Sequence, residues 1–307
     1  MQPNPTPTSV TVRVPAKINL ELIVGPRRDD GYHDLSTTFH AVGVFDEVTL
    51  IDADEWSVEV RGPYAQLLGD PADNLALRAA QRVAEYAEVE AACRMVIDKR
   101  IPVAAGMAGG SADAAAALIG ANALWCCGLE DEALHILAAE LGSDVNFALV
   151  GGTAIGSGRG ENVVPVLSEG SYEWVFVVSQ EGLSTPSVFG ELDRIRADRQ
   201  IPTPVPSEAL AAALRAGDVD ALAAAVHNDM EEAALSLRPD LAGVIDAGRQ
   251  AGALVGFVSG SGPTVVFLAR DLGHARELTH ALTSAGVGDQ VLRASGSVHG
   301  AHLIAGE

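Results

Sequence analysis

Residues 102–118 read PVAAGMAGGSADAAAAL: a glycine- and alanine-rich loop, one serine, then a run of alanines. Gly106, Ala108, Gly109 and Gly110 carry almost no side chain. A backbone so relieved of bulk can fold tightly and aim several N–H groups at one point. The alanine run favours helix. A helix starting there adds its unpaired first-turn N–H groups and its positive dipole end to the same point. Such a junction cradles phosphate. The same letters also suit a glycine turn before an ordinary buried helix. Two familiar phosphate loops are excluded. No lysine follows the glycines as the Gly-Lys-Ser/Thr loop requires, and the spacing is not that of the dinucleotide-binding turn.

A phosphate site here must be built against the protein's own field. The chain carries 41 acidic and 20 basic residues, a net charge of −21. That balance argues against nucleic acid or an anionic membrane as partner. Backbone N–H groups, lysines and a bound Mg²⁺ are the local sources of positive charge. Lys17 and Lys99 are the only lysines, and the other 18 basic residues are arginines. Lysine is a compact point charge and arginine a planar fork. The two lysines therefore mark places where a fork would not serve, or they are a coincidence in a sample of two. Each sits in a motif-like stretch, VPAKINLEL and IDKRIPVAAG.

At 307 residues and 48% apolar content the chain can bury the cores of two domains. Residues 1–9, rich in proline and without a basic or apolar region, predict a disordered tail rather than a signal peptide. Cys93, Cys126 and Cys127 have neither disulfide nor zinc spacing and predict reduced, mostly buried thiols in a cytoplasmic protein. Residues 112–127 are too short and too polar to span a bilayer.

Strands are expected over 9–24 (interrupted near Pro15), 36–51, 56–61 and 92–98, with helices over 74–89, 111–127 and 130–141. In the first of these helices Leu75, Ala79, Val83 and Tyr86 share a face. Gly142 reads as a C-cap, a short helix starts at Ser143 or Asp144, and 151–161 reads as a glycine-rich turn. Further on, a strand at 173–179 and alanine-rich helices over 207–250 precede a strand–turn–strand–helix–strand series ending at 293. That order suggests a small α+β sandwich. The division falls at 10–165 and 166–307.

Three signatures in this order, PAKINLEL (15–22), PVAAGMAGGSADAA (102–115) and VSGSGPTVVF (258–267), give the chain a resemblance to a known family. It resembles the small-molecule kinases named after galactokinase, homoserine kinase, mevalonate kinase and phosphomevalonate kinase. GYHDL (31–35), GSDVNFAL (142–149) and STPSVF (184–189) resemble the branch acting on a cytidine-diphosphate-linked alcohol. The resemblance covers roughly residues 10–295. It implies an α+β fold, with an N-terminal α/β domain like domain 2 of ribosomal protein S5 and a ferredoxin-like C-terminal domain. It also implies ATP and Mg²⁺ as cofactors, a small-molecule substrate, and a monomer or weak homodimer.

By residue chemistry alone, Asp144 reads first as a helix cap. The resemblance makes Lys17 and Asp144 the catalytic pair. It assigns the nucleotide to Lys99, Pro102, Ala105, Gly106, Met107, Ala108, Gly109, Gly110 and Ser111, and to Asn74, which alone reads as an N-cap. Tyr32 and His33 lie in a polar loop, where a ring platform suits a pyrimidine as well as it suits covering a core edge. Phe189 by periodicity reads as a helix core residue. The resemblance makes Tyr32 and Phe189 a sandwich for the base, His33 its hydrogen-bond partner, and Asn19 and Thr185 further substrate contacts. Met107, Ala112 and Asn146 depart from the common pattern, and the metal ligands cannot be read from the sequence. Two alternatives stand beside this reading: a kinase of the same family with another alcohol, and a non-catalytic ligand sensor on the same fold.

Overall fold

In a computed structural model that describes residues 7–67, 73–179 and 181–304, the β-branched N-terminal stretch becomes a 19-residue strand, β1 (Ser9–Arg27). It pairs antiparallel with the 21-residue β2 (His33–Ala53). Pro15 does not interrupt β1. It sits at a bulge, where the register shifts between Pro15 and Ala16, a position that tolerates a missing N–H. The structure describes the last residues of the expected tail, 7–9, and Ser9 belongs to β1. Residues 1–6 lie outside the described residues, but the Thr8 carbonyl accepts from Asp52 N at 3.0 Å. Val12, Val14, Ala16, Ile18 and Leu20 enter one core, while Lys17 and Asn19, at alternate positions, are also buried. Strand alternation thus gives β1 one apolar face and one polar face under cover.

β3 (Ser57–Arg61) runs parallel to β4 (Ala92–Asp98), which pairs antiparallel with β2. Between them lies α1 (Leu75–Tyr86), whose buried face is Ala76, Ala79, Ala80 and Val83. Tyr86, expected on that face, is exposed. After β4 the glycine loop leads into α2 (Gly109–Leu124), which is buried nearly all round. Its small residues permit this: a Cβ at Gly120 would stand 2.4 Å from Leu50 Cδ1. α3 (Asp131–Leu141) and α4 (Ser143–Val150) follow. The expected glycine-rich turn is largely a strand, β5 (Thr153–Gly158), paired with β2 and with β6 (Asn162–Pro165). Its glycine allows the approach, since a Cβ at Gly156 would stand 2.5 Å from the Phe39 ring. Cys93 is buried, Cys127 half-buried and Cys126 exposed, so the thiols are less covered than their composition suggested.

The second half begins with β7 (Tyr172–Val178) and α5 (Thr185–Arg196). Helices α6 (Glu208–Ala216) and α7 (Val219–Ala225), the short β8 (His227–Asn228), and helices α8 (Glu231–Leu237) and α9 (Asp240–Gln250) follow. β9 (Val255–Val258), β10 (Val265–Ala269), α10 (Leu272–Ala285) and β11 (Gln290–Gly296) complete it. The strand order β11-β7-β10-β9, all antiparallel, is ferredoxin-like. The two halves share one sheet: Gly296 of β11 pairs with Val42 of β2, and β12 (His302–Ile304) returns to pair with β1. Among the described residues no helix is long and apolar enough to cross a membrane.

His40 of β2 fills the seam between the halves. It is fully buried, with Nδ1 2.8 Å from Thr153 Oγ1 and its ring edge-on to Tyr172 and Trp174. Burial lowers its pKa to about 3 from the ordinary 6.5. The unfolded chain therefore binds a proton that the folded one refuses. This contribution to stability is complete above about pH 6.5 and is lost as pH falls toward 3, at about 1.4 kcal/mol per pH unit. Denaturant titrations of a His40→Gln variant across that window should show a shallower acid-side loss than the parent protein.

Candidate active site

Ala104, Gly106 and Ala108 have φ of 53°, 74° and 58°, so the loop after β4 is left-handed at every second residue. Two of these are alanines, in a region costly for any side chain, and such strain gathers at ligand sites. Turns of this kind gather backbone N–H groups into a concave nest. Gly106 is obligatory: besides its positive φ, a Cβ there would lie 2.2 Å from the Ser259 carbonyl oxygen. Ser259 Oγ donates to the Gly106 carbonyl at 3.2 Å, binding the SGSGP turn to the loop. Ala108, the N-cap of α2, has no side-chain oxygen to satisfy the first-turn N–H groups. Ala108, Gly109, Gly110 and Ser111 line a cleft of about 900 Å³, together with Pro102, Ala105 and Gly106.

Lys99 is not in that cleft. It is 1% exposed and lies behind the loop, with Nζ 2.5 Å from Asp46 Oδ2, 2.6 Å from Asp113 Oδ2 and 2.9 Å from the Gly109 carbonyl. Burial alone would lower its pKa, but Asp113 and Asp46 more than reverse this and hold it above the usual lysine value. Burial pushes Asp113 well up from the ordinary carboxyl range. The expectation that Lys99 meets the nucleotide is therefore corrected. Two carboxylates claim its charge, and its contribution is to hold the first residue of α2 in place. Met107 is likewise fully buried, and its carbonyl receives Lys17 N at 3.3 Å. Asn74 is the N-cap of α1, its Oδ1 accepting from Ala76 N and Leu77 N at 2.9 and 3.3 Å. Leu75, rather than Asn74, reaches the cleft.

Beside the loop, Lys17 Nζ lies 3.4 Å from Asp144 Oδ2 and donates to Asn19 Oδ1 at 2.8 Å. Asn19 Nδ2 donates onward to Thr37 Oγ1, also at 2.8 Å. Asp144 is no cap: Gly142 holds that place, and no side chain caps α4. The Asp144 carboxylate stands in the first turn of α4, about a third exposed, facing the cleft. A lysine and a carboxylate thus meet next to a nest of backbone N–H groups.

The far end of the cleft carries Tyr32, His33, Thr185 and Phe189. Tyr32 is 54% exposed. Phe189 is only half-buried, because Val188 and Leu192 supply the core contacts of α5. Its ring stacks on His33 at 5.1 Å. Thr185 Oγ1 lies 2.9 Å from Ser261 Oγ, joining α5 to the SGSGP turn. Sequence reasoning missed Arg27, Arg159 and Asp193, which also line this end. The Arg159 guanidinium lies 5.0 Å above the Tyr32 ring, and Asp193 is hydrogen-bonded to His33. Asp193 had a signal, lying four residues beyond Phe189 on one helix face. Arg159 had none.

The fold and its cleft have known counterparts. Residues 74–152 match the GHMP kinases N-terminal domain and residues 210–288 the GHMP kinases C-terminal domain. The chain belongs to the GHMP kinases. It is 53% identical over 301 residues to the 4-diphosphocytidyl-2-C-methyl-D-erythritol kinase of Mycolicibacterium smegmatis, covering 97% of this chain and 94% of that one. It is 56% identical to that of Kineococcus radiotolerans, covering 90% and 87%. A crystal structure of 4-(cytidine 5'-diphospho)-2C-methyl-D-erythritol kinase superposes with a TM-score of 0.75 at 31% identity, covering 96% of this chain and all of that one. Within the GHMP kinases, the chain belongs to the 4-diphosphocytidyl-2-C-methyl-D-erythritol kinase family.

Two variants separate the roles of the loop. A Cβ at Gly110 meets nothing within 4 Å, so Gly110→Val should fold with an unchanged Tm yet lose ATP binding in calorimetry, its side chain occupying the phosphate approach. Lys99→Met strands two buried carboxylates and should cost about 3–5 kcal/mol in urea unfolding.

Proposed function

We propose that this kinase transfers the γ-phosphoryl group of ATP to the 2-hydroxyl of 4-diphosphocytidyl-2-C-methyl-D-erythritol, a step in non-mevalonate isoprenoid synthesis. The observation that carries the reading is the Lys17–Asp144 pair at 3.4 Å, between the α2 N-terminus and the aromatic end of one cleft. The nest and uncapped helix end offer N–H donors to the nucleotide phosphates without drawing on the chain's scarce positive charge. Asp144 is placed to accept the hydroxyl proton as the new O–P bond forms and the bond from γ-phosphorus to the bridging oxygen breaks, releasing ADP. Lys17 offsets negative charge at the reacting oxygens.

Mg²⁺ arriving with ATP fits this end of the cleft. Ser111 would supply an oxygen donor, the other positions coming from the phosphates and the waters that Mg²⁺ usually keeps. When bound, it would neutralise charge on the transferring group. At the other end, Tyr32, His33 and Phe189 present rings and a hydrogen-bonding imidazole suited to a cytosine. Arg27 and Arg159 bring positive charge to a cleft that must admit two polyphosphates.

Phosphotransfer from ATP, assayed side by side on cytidine-diphosphate methylerythritol, mevalonate and homoserine, tests the reading. Turnover of the first alone is expected, and preference for either of the others refutes it. Asp144→Asn should lower kcat by about 10²–10⁴ with substrate KM mostly retained. Lys17→Ala should be severe, and Lys17→Arg should not restore activity, because a planar fork does not fit where a buried ammonium sits. Phe189→Ala should raise the KM for the cytidine substrate by roughly 5–150-fold, the loss of one base–ring stack, with the KM for ATP unmoved.

A further inference from the structure

Helix α5 presents Thr185, Phe189 and Asp193 to the cleft at a spacing of four, which stacks them along one face. The turn geometry that aims Phe189 at the cleft therefore aims Asp193 at it too. Asp193 Oδ1 lies 2.8 Å from His33 Nε2, and the His33 side chain is 5% exposed. The His33 ring is also clamped in a stack on Phe189, with 13° between the planes. Its orientation is fixed by two contacts from a single helix.

An ionised carboxylate accepts hydrogen bonds and donates none. Facing Asp193, Nε2 must carry the proton. In the neutral ring the other nitrogen, Nδ1, then bears a bare lone pair. Among the described residues Nδ1 has no hydrogen-bond partner, yet it is not sealed from solvent, and His33 lines the cleft. The cleft thus contains an acceptor in want of a donor.

We infer that Asp193 is a positioning residue that fixes His33 in its Nε2–H form, making Nδ1 an acceptor for the exocyclic amine of a 4-aminopyrimidine. The inference rests on the proposed cytidine substrate and gives the selection of its base a sign. Cytosine carries an amine at its 4-position and uracil carries a carbonyl oxygen. An acceptor at Nδ1 bonds the first and opposes the second. Sites built to hydrogen-bond one partner reject an analogue that leaves the group unpaired.

The Asp193 side chain is about a third exposed and lies outside the buried face of α5, so Asp193→Ala should fold normally. Nitrogen-15 NMR of the His33 ring in alkaline buffer should show Nε2–H in the parent protein and a mixture of tautomers in Asp193→Ala. Preference for the cytidine over the uridine substrate, as kcat/KM, should fall about tenfold, the equivalent of one hydrogen bond. The change should lie mainly in the KM of the cytidine substrate, with the KM for ATP unmoved. A merely structural role would move neither tautomer nor base preference. An Nδ1–H or doubly protonated ring in the parent protein, or an unchanged preference in Asp193→Ala, would overturn the inference. Calorimetry with cytidine and uridine diphosphates reads the same preference without turnover. A parent protein that selected cytidine diphosphate but phosphorylated no alcohol would refute the proposed function and support this inference. Equal binding of the two would overturn the inference whatever the protein phosphorylates.

Discussion

The buried Lys99 ammonium is the interaction on which the site depends. Its three partners come from two different elements: Asp46 from β2, and the Gly109 carbonyl and Asp113 from the first turns of α2. Asp46 Oδ1 also accepts from the Arg100 and Ile101 N–H groups, at 2.6 and 2.8 Å, where the chain leaves β4. One cation thus joins the sheet, the start of the loop and the start of the helix. Buried ion pairs add little net stability over apolar packing of the same shape, but they are unforgiving of a missing partner. Such a cluster specifies position more than it adds stability, and a concave set of backbone N–H groups depends on position.

The cleft carries its positive groups within a chain of net charge −21. At the loop the positive groups are backbone dipoles, where Ala108 leaves the end of α2 open. Lys17 lies beside Asp144, and Arg27 and Arg159 line the opposite end. The positive groups are few and are spread along the length of the cleft.

The cleft exists because both halves contribute to it. β1 brings Lys17 and Asn19, α2 the loop end, α4 Asp144, and α5 Thr185, Phe189 and Asp193. The SGSGP turn ties them together through Ser259 to Gly106 and Ser261 to Thr185. The shared sheet, with β12 returning to β1 and Gly296 packed against His40, holds the two walls in register.

Local chemistry was legible in the sequence wherever it depends on neighbours along the chain. The bounds of β4, the helix after the glycine loop and the α+β order follow from periodicity and propensity, whereas the pairing of Lys17 with Asp144 is implied only by the family resemblance. Tertiary structure decided what depends on distant partners. Lys99 reads as a phosphate ligand until Asp46, 53 residues away, is seen to claim its charge. Asp144 reads as a cap until Gly142 is seen in that place. Residues 151–161 read as a turn until Phe39 supplies the surface that makes their glycines a strand. His33 and Asp193, 160 residues apart, form one hydrogen bond that only the packing of α5 beside the start of β2 creates. A sequence encodes which groups are present and how they repeat, but which charges meet, and which are left facing the ligand, is settled only when the chain closes on itself.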